Sequence, residues 1–156
     1  MSAGIEELAE RIHAAESVAV LTGAGISTPS GIPDFRSPGK GLWANVDPMA
    51  VAHIDVLREE PQTFWAFYAD RFATLGDVRP NRAHEVLVEL ERSGLIDGVI
   101  TQNVDRLHHS AGTRNLIELH GSIQTSYCVG CSAPVELEEV RELAAQSSDG
   151  VPRCLL

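Results

Sequence analysis

The chain lacks several features that mark other classes of protein. No apolar run approaches the length of a membrane span, and residues 1–10 hold three acidic residues without the apolar core of a secretory signal peptide. Basic residues are scarce: 12 Lys and Arg against 22 Asp and Glu give a formal net charge of −10, which argues against nucleic acid as the main partner. Three cysteines, an odd number, do not suggest a secreted disulfide framework. These absences predict a cytoplasmic protein without a membrane or nucleic-acid partner.

The length and composition fit one globular domain. A chain of 156 residues can bury a hydrophobic core but is too short for two full domains. Hydrophobic residues make up 44% and charged residues 22%, which is ordinary for such a protein. The acidic balance would suit a basic peptide or protein as a partner, although it can equally serve solubility.

A glycine turn of sequence TGAG is the feature around which the chain is organised. The apolar residues 18–21 precede it and predict a short buried strand. Gly23 and Gly25, with one methyl side chain between them, let backbone N–H groups approach a phosphate at the start of a following helix. Alone this signal is weak, because the dinucleotide fingerprint has a third glycine where this chain has Thr28. The Asp-Phe-Arg sequence at 34–36, set on a turn fixed by proline and glycine, strengthens it.

Periodicity along the chain predicts alternating helices and strands. Helices are predicted over residues 4–15, 49–58, 61–75, 81–93, 107–111 and 136–146, and strands over 17–21, 98–101 and 116–119. The helix from residue 81 is predicted to bury Ala83, Val86, Leu87 and Leu90. Residues 30–48 form a long loop of the kind that is usually functional, and its glycines suggest that it can move. The alternation predicts a parallel α/β sheet of about three strands.

Three polar clusters follow the three predicted strands. They are residues 22–27, residues 101–105 and His120. Ligands of parallel α/β sheets gather at the carboxyl ends of the strands, so we expect these clusters to meet at one edge of the sheet. This convergence predicts a ligand site there.

The cysteines form a partial zinc pattern. Cys128 and Cys131 make a C-x2-C knuckle of the kind that holds zinc, and Cys154 stands where the first cysteine of a second pair would stand. The chain ends one position before that pair's second cysteine. We therefore expect a Zn²⁺ site that lacks its fourth cysteine and binds the ion more weakly than a closed tetrahedral site.

Four motifs occur in order: GAGIS at 23–27 with SGIPDFR at 30–36, TQNVDRLH at 101–108, LHGS at 119–122, and the cysteine knuckle. Together they resemble the sirtuins, a family of NAD-dependent protein lysine deacylases, and within that family the bacterial members. The resemblance runs from about residue 5 to Cys154. It implies the N-terminal part of a Rossmann-like, doubly wound parallel sheet with an inserted helical module and a partial zinc-ribbon module. Residues 1–121 would belong to the NAD-binding domain, with the helical insertion at about 37–80, and residues 122–156 to an incomplete zinc ribbon.

The resemblance also implies the reaction and the residues that perform it. The acyl oxygen of a modified lysine attacks C1′ of the nicotinamide ribose, nicotinamide leaves, and the acyl group ends on ADP-ribose. His120 would be the general base on a ribose hydroxyl, which suits an imidazole that titrates near neutral pH. Residues in contact with NAD would be Gly23, Ala24, Gly25, Thr28, Asp34, Phe35, Arg36, Gln102, Asn103, Val104 and Asp105. The partner would be an acyl-lysine protein or peptide.

Structural roles are the alternative for several of these residues. Asp34 and Arg36 could pair with each other on their loop, and the Gln102–Asn103 pair could satisfy backbone groups at the end of a strand. His108 and its neighbour His109 fit a structural or solvated role better than a catalytic one. The aromatic residues of the helix at 61–75 fit a packed helix face better than a binding site.

A Tyr-x-x-Arg sequence in the same helix bears on the acyl group. Tyr68 and Arg71 lie one helical turn apart, so both side chains could grip the carboxylate of a succinyl-type group, as in some sirtuins that remove acidic acyl groups. Arg71 could equally be a solvated arginine. Plain deacetylation is the expectation, and a desuccinylase-type preference is the alternative.

The early end of the chain leaves two functional classes open. A doubly wound sheet has roughly six strands, and the sequence predicts about three, so the chain is expected to be marginally stable by itself. It is either a fragment of an active deacylase that carries the catalytic residues, or a non-catalytic remnant that at most binds a partner. An ordinary NAD oxidoreductase is disfavoured, since Thr28 breaks the glycine pattern and no clear acidic residue closes a second strand for the ribose.

Overall fold

The structure is a computed structural model that describes residues 3–37, 39, 41, 43, 46–75 and 78–155, with all side chains except those of residue 3 and residues 70–75. It contains two compact units: Met1–Ile32 with Arg79–Gly121, and Pro33–Val78 with Ser122–Leu156. None of the helices within the described ranges combines the length and apolar character needed to cross a membrane.

The elements follow one another in the order α1 (Ala3–Ala14), β1 (Ala19–Thr22), a 3₁₀ helix (Ala24–Ser30), α2 (Pro48–Val51), α3 (Ile54–Glu59), α4 (Pro61–Leu75), α5 (Arg82–Arg92), β2 (Gly98–Thr101), α6 (Leu107–Ala111), β3 (Leu116–Glu118), β4 (Thr125–Tyr127), β5 (Pro134–Glu136) and α7 (Leu137–Gln146). The predicted parallel sheet is confirmed in the first unit, where β1, β2 and β3 pair in parallel in that order.

The two faces of this sheet differ in burial. Val99 and Thr101 are 1% and 2% exposed, so the face that they share with Thr22 is the core face of the unit. Successive side chains of a strand point to opposite faces, and Leu21 and Ile117, on the other face, are each more than half exposed. The buried face carries threonine at the last position of both β1 and β2, which places hydroxyl groups next to the strand ends.

Helix α5 begins where predicted, but its two most buried residues are not among those predicted. The Asn81 side chain accepts from the backbone N–H of Ala83 and caps the helix, as the sequence indicated. The buried residues are His84 and Val88, one turn apart, while Ala83, predicted inside, is exposed. Val86, Leu87 and Leu90 are half-buried, so the prediction was wrong at Ala83 and in leaving out His84, a histidine that the fold fully buries.

Two other predicted helices also differ from the structure. The single helix predicted over residues 49–58 is divided into α2 and α3, because His53 Nδ1 accepts from the N–H of Asp55 and caps a new helix there. The helix expected after the glycine turn is a seven-residue 3₁₀ helix with Pro29 inside it. So short a segment has a smaller macrodipole than a regular α-helix of several turns.

In the second unit, the segment Pro33–Trp43 is closed by its own contacts. The Asp34 carboxylate accepts from the N–H of Ser37, and the N–H of Trp43 donates to the Phe35 carbonyl at 3.0 Å. The Trp43 ring stacks between Phe35 and Phe67, with ring centroids 5.4 and 5.5 Å away. A Cβ at Gly41 would lie 2.7 Å from backbone atoms of this segment, so glycine serves close backbone approach here, whereas the sequence suggested mobility.

Candidate cofactor site and cysteine cluster

The carboxyl ends of the three strands meet at one edge of the sheet in the first unit. The N–H of Gln102 donates to the Thr22 carbonyl at 3.1 Å, and the N–H of Leu119 donates to the Thr101 carbonyl at 2.9 Å, so both ladders continue to the strand ends. The predicted site residues brought into this unit are Gly23, Ala24, Gly25, Thr28, Gln102, Asn103, Val104, Asp105 and His120. The predicted convergence of the three polar clusters therefore occurs.

The glycine turn leaves space on its outer side. Gly23 has extended backbone, with φ of −144° and ψ of −173°, and neither Gly23 nor Gly25 has a positive φ. A Cβ at either glycine would meet no described atom within 4 Å. The folded chain itself therefore does not require glycine at these two positions.

Three buried polar side chains are joined behind the turn. Asn103 Nδ2 donates to the Gly23 carbonyl at 3.2 Å and to Ser27 Oγ at 3.1 Å. Ser27 Oγ in turn donates to Asp105 Oδ2 at 2.6 Å, and Asp105 Oδ1 accepts from the N–H of Leu107, the first residue of α6. All three side chains are at least nine-tenths buried. This network fixes the glycine turn to the segment that follows β2.

His120 lies just beyond β3 and is exposed. Its Nδ1 is 3.0 Å from the Gln102 carbonyl. A carbonyl oxygen only accepts, so Nδ1 carries the proton, and in the neutral ring the lone pair is on Nε2. The bond to the Gln102 carbonyl therefore holds the ring and leaves the lone pair of Nε2 free. A general base requires such a free lone pair on a positioned ring.

Two buried histidines were not predicted as part of this region. His84 and His108 are 0% and 2% exposed, and their rings meet edge to face with centroids 4.8 Å apart. Burial lowers the pKa of both rings, and Asp105 acts in the opposite direction on both. For His108, burial together with the neighbouring His84 brings the pKa to about 4. The structural role expected for His108 is confirmed, and exposed His109 contacts Arg106 Nη2 at 3.0 Å. One sequence signal could have revealed His84: it lies one turn before the apolar Val88.

The remaining predicted contacts belong to the second unit. Asp34 is engaged by Ser37, whose hydroxyl and N–H lower the pKa of the carboxyl group. Phe35 is stacked on Trp43 but remains 41% exposed. Tyr68 packs against Phe64 and Phe67 in the aromatic face of α4, which confirms the predicted packed face. Arg36 directly follows Phe35 in the same segment. The Arg71 side chain is not among the side chains that the structure describes.

The three cysteines come together in the second unit. The sulfurs of Cys128, Cys131 and Cys154 all lie within 4.8 Å of one another, with Cys131 and Cys154 3.6 Å apart. Two thiolates on one tetrahedral Zn²⁺ are about 3.8 Å apart, so the sulfurs fit a shared ion. Backbone N–H groups of Cys131 and Gly130 lower the pKa of the Cys128 thiol to about 7, which favours the thiolate that a metal needs. The cluster is a partial zinc site.

Substituting one of these cysteines should remove the ion. We expect the purified chain to carry about one zinc per molecule and the Cys154→Ser variant to carry far less, since a hydroxyl is a poor ligand. Atomic emission of the dialysed protein measures the content. Ser132→Gly is the matched control: Ser132 adjoins the cluster at a φ of 61°, a conformation that glycine adopts readily, so zinc should be retained. Equal zinc in the wild type and in Cys154→Ser would contradict the assignment.

Comparison with known proteins identifies a family for this arrangement. The sequence model of the Sir2 family matches residues 23–155. The chain is 46% identical over 149 residues to an NAD-dependent protein deacetylase of Sulfolobus acidocaldarius, covering 96% of this chain and 58% of the relative. It is 46% identical over 139 residues to an NAD-dependent protein deacylase of Thermus thermophilus, covering 86% and 54%.

Solved structures agree with these relatives. A Sir2 variant with a deacetylated p53 peptide and 3′-O-acetyl ADP-ribose has a TM-score of 0.89 and 39% identity, over 96% of this chain and 59% of that one. A Sir2–p53 peptide–NAD⁺ structure has a TM-score of 0.85 and 40% identity, over 99% and 60%. The chain thus spans between half and three-fifths of the length of the relatives that it matches.

Proposed function

The chain belongs to the Sir2 family, and we propose that it carries the catalytic half of an NAD-dependent protein lysine deacetylase. The acyl group of a modified lysine is transferred to ADP-ribose, and nicotinamide is released. The observation that carries the proposal is the meeting of His120, with its basic Nε2, and the Asn103–Ser27–Asp105 network at one sheet edge. Relatives that the chain resembles at 46% identity are NAD-dependent deacetylases and deacylases.

The glycine turn supports NAD as the cosubstrate. Nothing within the described residues requires glycine at 23 or 25, whereas a phosphate group lying against the backbone would. When bound, NAD supplies the ADP-ribosyl acceptor and the nicotinamide leaving group. The proposed contacts are those predicted from the sequence, namely Gly23, Ala24, Gly25, Thr28, Asp34, Phe35, Arg36, Gln102, Asn103, Val104 and Asp105.

His120 is the proposed catalytic base. Its Nδ1–H bond to the Gln102 carbonyl holds the ring, so Nε2 can take a proton from a ribose hydroxyl. Besides their proposed contact with NAD, the Asn103 amide and Asp105 carboxylate are bonded within the fold, and these bonds hold the segment that follows β2 in a fixed geometry for the acyl oxygen's attack.

The substrate is proposed to be an acetyl-lysine protein or peptide. Solved structures of similar chains include Sir2 bound to an acetylated peptide and to a propionylated peptide. A succinyl preference through Tyr68 and Arg71 stays a prediction. The zinc cluster is proposed to be structural, and a cytoplasmic location is proposed from the few cysteines and the acidic composition.

A methyl group at the glycine turn should weaken NAD binding without unfolding the chain. Gly23 has extended backbone and open space, so Gly23→Ala should change the free energy of unfolding by less than about 1 kcal/mol. The added methyl occupies space needed by a phosphate, so the Kd for NAD should rise at least about tenfold. Calorimetric titration and urea unfolding measure the two effects. Gly4→Ala is the control, because a Cβ at Gly4 on α1 also meets no described atom within 4 Å; it should leave the Kd for NAD unchanged. An unchanged Kd for NAD in Gly23→Ala would contradict the phosphate contact.

The function itself is tested with the complete gene product and an acetyl-lysine peptide. We expect deacetylation only when NAD is present, with nicotinamide released as peptide is consumed. A succinylated peptide of the same sequence, with wild type and Tyr68→Phe, separates the two acyl preferences. Deacetylation that proceeds equally without NAD would overturn the proposal.

A further inference from the structure

We infer that His108 is a positioning residue that acts through Thr22 to fix Asn103 at the cofactor site. The inference rests on the proposed function and deepens it. His108 Nε2 lies 2.9 Å from Thr22 Oγ1, and Thr22 Oγ1 donates to Thr101 Oγ1 at 2.9 Å. Thr101 Oγ1 then accepts from the backbone N–H of Asn103 at 3.1 Å. The histidine is therefore connected to Asn103 by three consecutive hydrogen bonds.

These bonds belong to a closed circuit. Asn103 continues it through Ser27 to Asp105, whose Oδ1 accepts from the N–H of Leu107. Leu107 directly precedes His108, so the circuit returns to its starting point through the first turn of α6. It joins the ends of β1 and β2, the 3₁₀ helix and α6. Because every side-chain member is at least nine-tenths buried, each hydrogen bond constrains the others strongly.

The hydrogen-bond directions assign the protons of both histidines. With Thr22 donating its single hydroxyl proton to Thr101, Thr22 accepts from His108, and this arrangement places the His108 proton on Nε2. His84 Nδ1 accepts from the N–H of Asn81, so His84 also carries its proton on Nε2. His84 Nε2 and His108 Nδ1 are then a donor and an acceptor; neither makes a hydrogen bond within the described residues, and the two rings meet edge to face with centroids 4.8 Å apart. A neutral pair is consistent with this complementarity.

A neutral, buried histidine suits positioning rather than proton transfer. The titratable groups that face His108 are His84 on α5 and Asp105 before α6. The ring is 2% exposed, while His120, the proposed base, is exposed at the strand ends. His108 thus holds Thr22 in place while the chemistry occurs at another histidine.

The test removes one hydroxyl from the circuit. Thr22→Val keeps the shape of the side chain but leaves the protons of His108 and the oxygen of Thr101 without their partner. In the complete gene product we expect a shifted Asn103 side-chain amide resonance and a KM for NAD raised about tenfold. Thr22→Ser, which restores the hydroxyl, should return both to near wild-type values. His109→Gln, exposed on the same helix, is the control and should change neither.

Nitrogen NMR of the histidine rings decides the geometry without any activity. We expect His108 as the Nε2–H tautomer in wild type and in Thr22→Ser, and a perturbed ring in Thr22→Val. A folded Thr22→Val with unchanged Asn103 resonance and KM would overturn the inference, as would Thr22→Ser impaired to the same degree. If Thr22→Val does not fold, His108→Gln, whose amide can still donate to Thr22, must keep the Asn103 resonance near its wild-type position. If wild type releases no nicotinamide, the proposed function fails, while the tautomer and the Asn103 resonance still decide the positioning role.

Discussion

Replacing His120 by alanine is expected to lower the rate of NAD-dependent deacetylation by about 10²- to 10⁴-fold. The substitution removes the Nε2 lone pair that would accept the ribose hydroxyl proton. It also removes the bond from Nδ1 to the Gln102 carbonyl, but that carbonyl is at an exposed strand end where water can replace the donor. Folding and NAD affinity should therefore change little, and the loss should appear in kcat. Single-turnover nicotinamide release, with NAD binding by calorimetry, separates the two effects.

The matched control for this substitution is His109→Ala. His109 is also an exposed histidine, and its contact is with Arg106 rather than with a strand end. Its loss should leave the rate unchanged. Full activity of His120→Ala would remove His120 from the mechanism, and equal loss in both variants would indicate a nonspecific effect on folding.

Acidification from pH 7 to pH 4 is expected to destabilise the folded chain by on the order of 3 kcal/mol through the buried His108. Burial lowers the pKa of its ring to about 4, whereas the ordinary value is 6.5. In the unfolded chain the ring binds a proton below pH 6.5, and in the folded chain it does so only near pH 4. This contribution to stability is therefore complete above about pH 6.5 and is lost as the pH falls toward 4. Burial also lowers the pKa of His84, so this ring adds to the loss of folding stability on acidification.

Urea unfolding at a series of pH values between 7.5 and 4 measures this loss. Hydrogen bonds lower the pKa of aspartates such as Asp97, which lies beside Ser17. Such aspartates lose their contribution to folding stability only below about pH 4. The pH range of the histidine effect, from about 6.5 to 4, is therefore separate from theirs. His108→Gln cannot titrate and should show a shallower fall in unfolding free energy, while His109→Gln should retain the wild-type slope. Identical slopes in wild type and His108→Gln would show that the ring does not remain neutral in the folded chain.

The sheet and its ligand edge could be predicted because local sequence determines them. Strand Gly98–Thr101 and helix Leu107–Ala111 match the predicted bounds, since β-branched residues follow Gly98 in the strand and Gly112 ends the helix. The three polar clusters follow strands that pair in parallel, so their meeting at one edge required only the strand order. Asn103 and His120 accordingly lie at the strand ends, as the sequence predicted, and their roles there stay predictions.

The interior of the site could not be predicted in the same way. His84 is polar and was not among the apolar residues predicted to be buried in α5. Its ring packs against His108, which is 24 residues later and belongs to another helix. Gly41 suggested mobility because the sequence does not show the backbone atoms that would lie 2.7 Å from a Cβ at this position. The division of α2 from α3 depends on a side-chain cap by His53, a residue type that does not usually signal a helix start. In each case a nonlocal contact or an unusual cap decides the outcome.

The identity of the acyl-bearing product decides whether the chain belongs to an NAD-dependent deacetylase. The complete gene product is incubated with NAD and an acetyl-lysine peptide, and the small molecules are separated and weighed by mass spectrometry. We expect acetyl-ADP-ribose and nicotinamide in equal amounts, matched by deacetylated peptide, and at least about 100-fold less of the acetylated product from His120→Ala in the same time. Free acetate formed in the absence of NAD, or nicotinamide released without an acetylated ADP-ribose, would contradict the proposed function.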